Sequence, residues 1–175
     1  VVEIAADRVE GVDDLIAKAL AEPNSVRPWV VSVAANVSSF ASIVRFDFAQ
    51  ARRRQDWAAG VHQRTPGSFG LVYGHCFAGI AATEQLDIAA AEDHFRIALQ
   101  TAETTSGEQS HSARLASAML GALLYELGDI DQAEQLLDSG YELGPEGGAV
   151  DFMIARYVTG ARIKALRGDL DAAVE

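Results

Sequence analysis

Cysteine is nearly missing from this chain: Cys76 stands alone among 175 residues. A single thiol cannot close an intrachain disulfide, so nothing here requires an oxidising compartment. Proline is scarce as well, at four, and tryptophan and methionine number two each. Basic residues are outnumbered, 14 against 25 acids, for a formal net charge of −11. That balance argues against a duplex-binding surface, which needs clustered Lys and Arg to neutralise phosphates. No apolar run could span a bilayer; the most apolar stretch, Leu115 to Leu124, is too short and is interrupted by Ser117 and Gly121. Val1 to Asp7 offer neither a basic n-region nor a continuous apolar core, so they do not read as a signal peptide. We expect a cytoplasmic piece of a larger protein, with no membrane insertion.

What is present is a globular composition, 49% hydrophobic and 22% charged, in a length that suits one domain with a sizeable core. Four stretches share the form Asp, apolar, two residues, Ala. They are Asp47-Phe48-Ala49-Gln50-Ala51, Asp87-Ile88-Ala89-Ala90-Ala91, Asp129-Ile130-Asp131-Gln132-Ala133 and Asp169-Leu170-Asp171-Ala172-Ala173. Their aspartates lie 40, 42 and 40 residues apart. A fifth match at Asp151 is out of step, because the form alone is a generic helix start with Asp as N-cap. The period therefore carries the inference.

Other positions fall into line. Eight residues before each aspartate stands a small residue, Ser39, Gly79, Gly121 or Ala161. Small residues there and at Ala51, Ala91, Ala133 and Ala173 let two antiparallel helices approach closely. Phe95 and Leu137 follow where the second helix packs on its neighbour. Leu115, Met119, Leu120, Leu123, Leu124 and Leu127 recur at helical spacing. Breaker clusters at 65–68, 104–107 and 144–148 separate the units. Each unit reads as helix, tight turn, helix. The units cover residues 29–64, 68–104, 110–144 and 149–175, the last truncated, with a partial unit over 1–28 containing Asp7 and Gly11. No such pair buries its apolar face alone, so the expected fold is all-α: a superhelical solenoid of antiparallel helix pairs with repeats of about 40 residues.

Leu120-Gly121, Ala133 with Leu137, Ala91 with Phe95, and Pro145 match signatures of the tetratricopeptide repeat, although that repeat is ordinarily about 34 residues. The longer units resemble the tetratricopeptide-like sensor region of MalT-type, LuxR-family ATP-dependent transcriptional regulators. Gly107 to Ser112, Ala122 to Asp129 and Ala161 to Asp169 carry that likeness most clearly. They are also similar to the MalT-like C-terminal portion of mycobacterial Ser/Thr protein kinases that carry such a regulator behind the kinase. The resemblance implies a right-handed superhelix and a sensor or protein-interaction role. The ATP-binding, kinase and DNA-binding elements of those families do not occur in these residues.

Site chemistry is thin. His62, His75, Cys76, His94 and His111 are scattered without metal-ligand spacing, and adjacent His75 and Cys76 would point about 100° apart on a helix, so no metal is expected. No nucleophile elbow or phosphate loop occurs, so neither a catalytic residue nor a cofactor is expected and the fragment is read as non-enzymatic. Charge is unevenly spread: Leu115 to Ala155 holds eight acids and no Lys or Arg, while Arg45, Arg52, Arg53, Arg54 and Arg64 gather upstream. A solvated helix face explains this, and so does steering of a charged partner. The resemblance implies a concave face lined by first helices, with Asn36, Phe40, Tyr73, Cys76, Thr83, Glu84, Tyr125, Glu126 and Arg162 on it. Aromatics with a few charges suit a peptide, a protein partner or a small inducer. The same aromatics also serve as core between helices.

Overall fold

The structure is a computed structural model that describes residues 16, 17, 20, 21, 23–108, 110–138, 152 and 154–174. Asp7, Gly11, the cluster at 144–148 and the stray match at Asp151 lie outside the described residues. All regular structure among the described residues is helical: α1 Pro28–Val44, α2 Phe48–Gln63, α3 Phe69–Glu84, α4 Ile88–Ser106, α5 His111–Glu126, α6 Ile130–Asp138 and α7 Thr159–Arg167. A π-helical segment, Ile154–Val158, leads into α7.

The four aspartates sit at four equivalent junctions. At each, the residue before Asp is left-handed: Phe46, Leu86, Gly128 and Gly168 have φ of 61°, 60°, 87° and 85°. Paired backbone bonds of the Schellman type close the preceding helix, from Asp47 N–H to Ser42 and Phe46 N–H to Ile43, then identically at Asp87, Asp129 and Asp169. The Asp side chain then turns round and accepts from the N–H three residues on, at 3.0 Å from Gln50, 3.4 Å from Ala90, 3.3 Å from Gln132 and 3.1 Å from Ala172. One short sequence thus satisfies the orphan groups of two helix ends, which is why it recurs. Pro28 in the first turn of α1 and Ser110 capping α5 through Ala113 N–H open helices by the same logic.

The small residues do what their spacing requires. Ala51, Ala91 and Ala133 are fully buried. A Cβ added at Gly79 would stand 2.4 Å from the Phe95 ring, and one at Gly121 would stand 2.9 Å from Leu137 Cγ. Helices α1 to α6 pack each on the next, and α6 packs on α7. The remaining substantial pairings join α1 to α3, α3 to α5, and α5 to the π-helical segment. The first helix of each hairpin therefore lies beside the first helix of the next. A continuous core runs through them, from Val72, Phe77 and Ile80 past Phe95, Leu120 and Leu124 to Phe152 and Ile163. A smaller cluster of Ile16, Ala34 and Ala41 covers the other flank of α1.

Candidate functional site

The first helices present an aromatic wall. Phe40 on α1 stacks on Phe77 of α3 with ring centroids 5.6 Å apart. Tyr73 lies against Phe69 at 4.3 Å, Phe77 at 5.9 Å and Phe152 at 5.7 Å. Phe152, only 2% exposed, comes from just before the π-helical segment and also reaches Phe77 at 6.3 Å. This chain's own phenylalanine thus fills the wall beside Tyr73. Burial pushes the Tyr73 hydroxyl up to about 12, with Cys76 adding to the shift, so it stays protonated at neutral pH.

The residues expected on a concave face separate into two groups. Asn36 and Cys76 are enclosed by packing and present no surface, and burial lifts the Cys76 thiol to about 12. Phe40, Tyr73 and Thr83 are half-buried, Thr83 returning its hydroxyl to the Gly79 carbonyl at 3.0 Å. Glu84, Glu126 and Arg162 are exposed, and Tyr125 is half-buried beside them. Glu126 and Arg162 approach within 3.9 Å across the hairpins. The accessible part of the wall is its turn end: Glu84 on α3, Tyr125 and Glu126 on α5, Arg162 on α7.

Asn36 belongs to a buried polar cluster that was not foreseen. Gln55 on α2 donates to Asn36 Oδ1 at 3.0 Å and Ser39 Oγ at 2.8 Å, and its carbonyl oxygen meets His62 Nε2 at 3.0 Å. His62 Nδ1 meets Ser32 Oγ at 2.7 Å, and Asn36 donates to the Gly70 carbonyl at 3.2 Å. Gly70 and Gly74 on α3 make room: Cβ atoms there would stand 2.3 Å from Ser32 Oγ and 2.7 Å from Gln55 Oε1. Burial, then the nearby His75, pushes His62 down to about 4. A readable signal existed, because Ser32, Asn36 and Ser39 repeat at helical spacing inside a helix whose only other polar residues are Ser38 and Ser42. The cluster fixes the fit of α1, α2 and α3, its side chains bonded to one another and to the Gly70 and Ala51 carbonyls.

Ions join the last two hairpin elements. Lys164 on α7 reaches Glu134 at 3.0 Å and Asp138 at 2.7 Å on α6, while Arg167 holds Glu134 and Asp131. Arg52 on α2 likewise reaches forward to Gln85 and Asp87 at the next turn.

Architecture and surface define an all-helical module of stacked antiparallel hairpins, with no group of three metal-ligating side chains among the described residues. The chain is 49% identical over all 175 residues to the serine/threonine-protein kinase PknK of Mycobacterium tuberculosis, and equally to that of Mycobacterium bovis. It spans 16% of the length of those relatives, and corresponds to a C-terminal region of them. No protein-family model matches the chain. Among solved structures, BtubC (BKLC) from P. vanneervenii superposes with a TM-score of 0.72 over 93% of this chain and 67% of that one. At 16% identity that likeness speaks to the fold alone. Among the described residues no helix is long and apolar enough to cross a membrane.

Proposed function

We propose that this chain is a non-enzymatic helical-repeat module of a larger bacterial signalling or transcription-regulatory protein, and that it senses or docks a partner on its inner wall. The repeats are those read from the sequence, 29–64, 68–104, 110–144 and 149–175, stacked as a tetratricopeptide-like right-handed solenoid. The recurrence of one junction at Asp47, Asp87, Asp129 and Asp169, with first helices side by side, is the observation that carries this reading. Shorter spacing between first helices than between second helices curves such a stack and makes the first-helix face concave. On that face the open side chains are Glu84, Tyr125, Glu126 and Arg162, an acidic lip with one aromatic platform. It suits a peptide or small inducer carrying a cationic group beside an apolar one. The partner, or another domain of the parent, would act by binding one arrangement of the stack better than another.

A thermal-shift panel of cationic peptides and sugars tests the reading, with Tyr125→Ala and Glu126→Lys as controls. Stabilisation that both substitutions abolish supports it; no stabilisation across the panel refutes it.

Exposed apolar side chains on the turn edge favour a second reading, a scaffold or dimerisation spacer between flanking domains. Phe46 and Leu86 are 81% and 83% exposed, with Leu170 nearby in the pattern at 67%. Light scattering separates the two, since self-association lost in Phe46→Gly/Leu86→Gly favours the spacer.

A further inference from the structure

The histidines are scattered in sequence, but two of them converge in space. His75 on α3 and His94 on α4 bring their Nδ1 atoms to 3.1 Å, with ring centroids 5.3 Å apart and planes 43° from each other. Both side chains are half-buried, so water reaches the edge of the pair. In the metal-free state one Nδ1–H donates to the other ring's Nδ1 lone pair.

We propose that His75 and His94 form a bidentate imidazole site for a divalent transition-metal ion, clamping α3 to α4 within one hairpin. Imidazole nitrogens bind such ions at about 2.0–2.1 Å. Two of them 3.1 Å apart then subtend about 100° at the metal, between the 90° of a tetragonal site and the tetrahedral angle. One tautomer change frees both ligand atoms: the donor ring's proton moves from Nδ1 to Nε2, the acceptor ring already carries its proton there, and both Nδ1 lone pairs are then available to the ion. Water completes the coordination, because among the described residues no third His, Cys, Asp or Glu joins the pair.

The carboxylates of Asp56 from α2 and of Asp87 and Asp93 from the α4 side are near enough to interact with a charge at His94, and so is the Arg52 guanidinium. Arg52 is itself held by Asp87 and Gln85. The two other candidates are spoken for. His62 has both ring nitrogens committed to Ser32 and Gln55, and the Cys76 thiol is fully buried. Nitrogen-only ligation with open positions selects Cu2+ over Ni2+ and Zn2+.

Tag-free protein titrated calorimetrically with Cu2+, Ni2+ and Zn2+ tests the site. We expect one saturable equivalent, tightest for Cu2+, with a raised melting temperature. Binding should vanish in His75→Ala and in His94→Ala and persist in His111→Ala, whose histidine is exposed elsewhere. Electron paramagnetic resonance of the wild-type Cu2+ complex gives an independent readout that needs no variant, and should show two equatorial nitrogens. Absence of saturable binding, binding unchanged in both alanine variants, or a spectrum without paired nitrogen ligands would each overturn the proposal.

Discussion

Gly79→Ala is the sharpest perturbation of the repeat packing. In an exposed helix the change would stabilise by about 1 kcal/mol, because alanine is the better helix former. Here the new methyl would stand 2.4, 2.7 and 2.8 Å from three atoms of the Phe95 ring. Phe95 is 1% exposed, enclosed by α3, α4 and α5, so the ring has nowhere to swing. Overpacking of a tight core costs about 1–3 kcal/mol, and three simultaneous contacts place this site at the upper end. Subtracting the propensity gain leaves a net loss of about 2 kcal/mol. The measurement is urea unfolding followed by far-ultraviolet circular dichroism. The midpoint should fall with little change in slope. Phe95→Leu on the Gly79→Ala background should recover part of the loss, giving a coupling energy of about 1–2 kcal/mol between the two positions. Gly160→Ala is the internal control: nothing lies within 4 Å of its Cβ position, and it should be neutral or stabilising. A Gly79→Ala variant as stable as the parent, or one that Phe95→Leu does not relieve, would refute the close-approach reasoning.

Leu86→Gly should stabilise the chain by roughly 0.5–1 kcal/mol, since left-handed strain of about 1–2 kcal/mol outweighs the entropy lost to glycine; an equal or lower urea midpoint would count against it. For His62, whose pKa falls from 6.5 to about 4 on folding, the unfolded chain takes up a proton that the folded chain refuses between those values. Its contribution, roughly 3 kcal/mol, is complete above pH 6.5 and lost as pH falls towards 4. Thermal melts from pH 7.5 to 4.5 should therefore drop steeply, and His62→Gln should remove part of that drop, with His75 and His94 supplying the rest; a flat wild-type profile sinks the assignment. Lys164→Met removes partly exposed pairs with Glu134 and Asp138, so the loss should stay below about 1 kcal/mol and shrink further in 1 M NaCl.

The junctions were the most legible part of the sequence, for a local reason. Capping by Asp47, Asp87, Asp129 and Asp169 depends on residues within one turn, so a periodic five-residue form maps directly onto geometry. The tight contacts at Gly79 and Gly121 were legible too, because hairpin pairing at a fixed turn fixes which residues face each other. Surface versus interior was not. Asn36 and Cys76 were expected on an exposed face of the first helices, yet Gln55 and the glycines of α3 draw Asn36 inward, and packing encloses Cys76. Phe152 reaching back to Tyr73 and the pairing of His75 with His94 depend on tertiary placement, which no local pattern encodes.

One pairing shows how the repeats vary without losing their geometry. The residue eight before each turn aspartate faces the residue eight after it: Gly79 with Phe95, Gly121 with Leu137, and Ser39 with Gln55. The first two pairs solve the crossing by volume, an empty side chain against a large apolar one. The third solves it by hydrogen bonding, with Gln55 donating to Ser39 at 2.8 Å and Ser39 donating to the Ala51 carbonyl at 3.3 Å. Apolar contact tolerates small sliding, whereas a chain of directional bonds from Ser32 to Gly70 holds one register and becomes costly if any member is left unpaired. The first hairpin is therefore held in one register by directional bonds, where the second and third rely on fitted volumes.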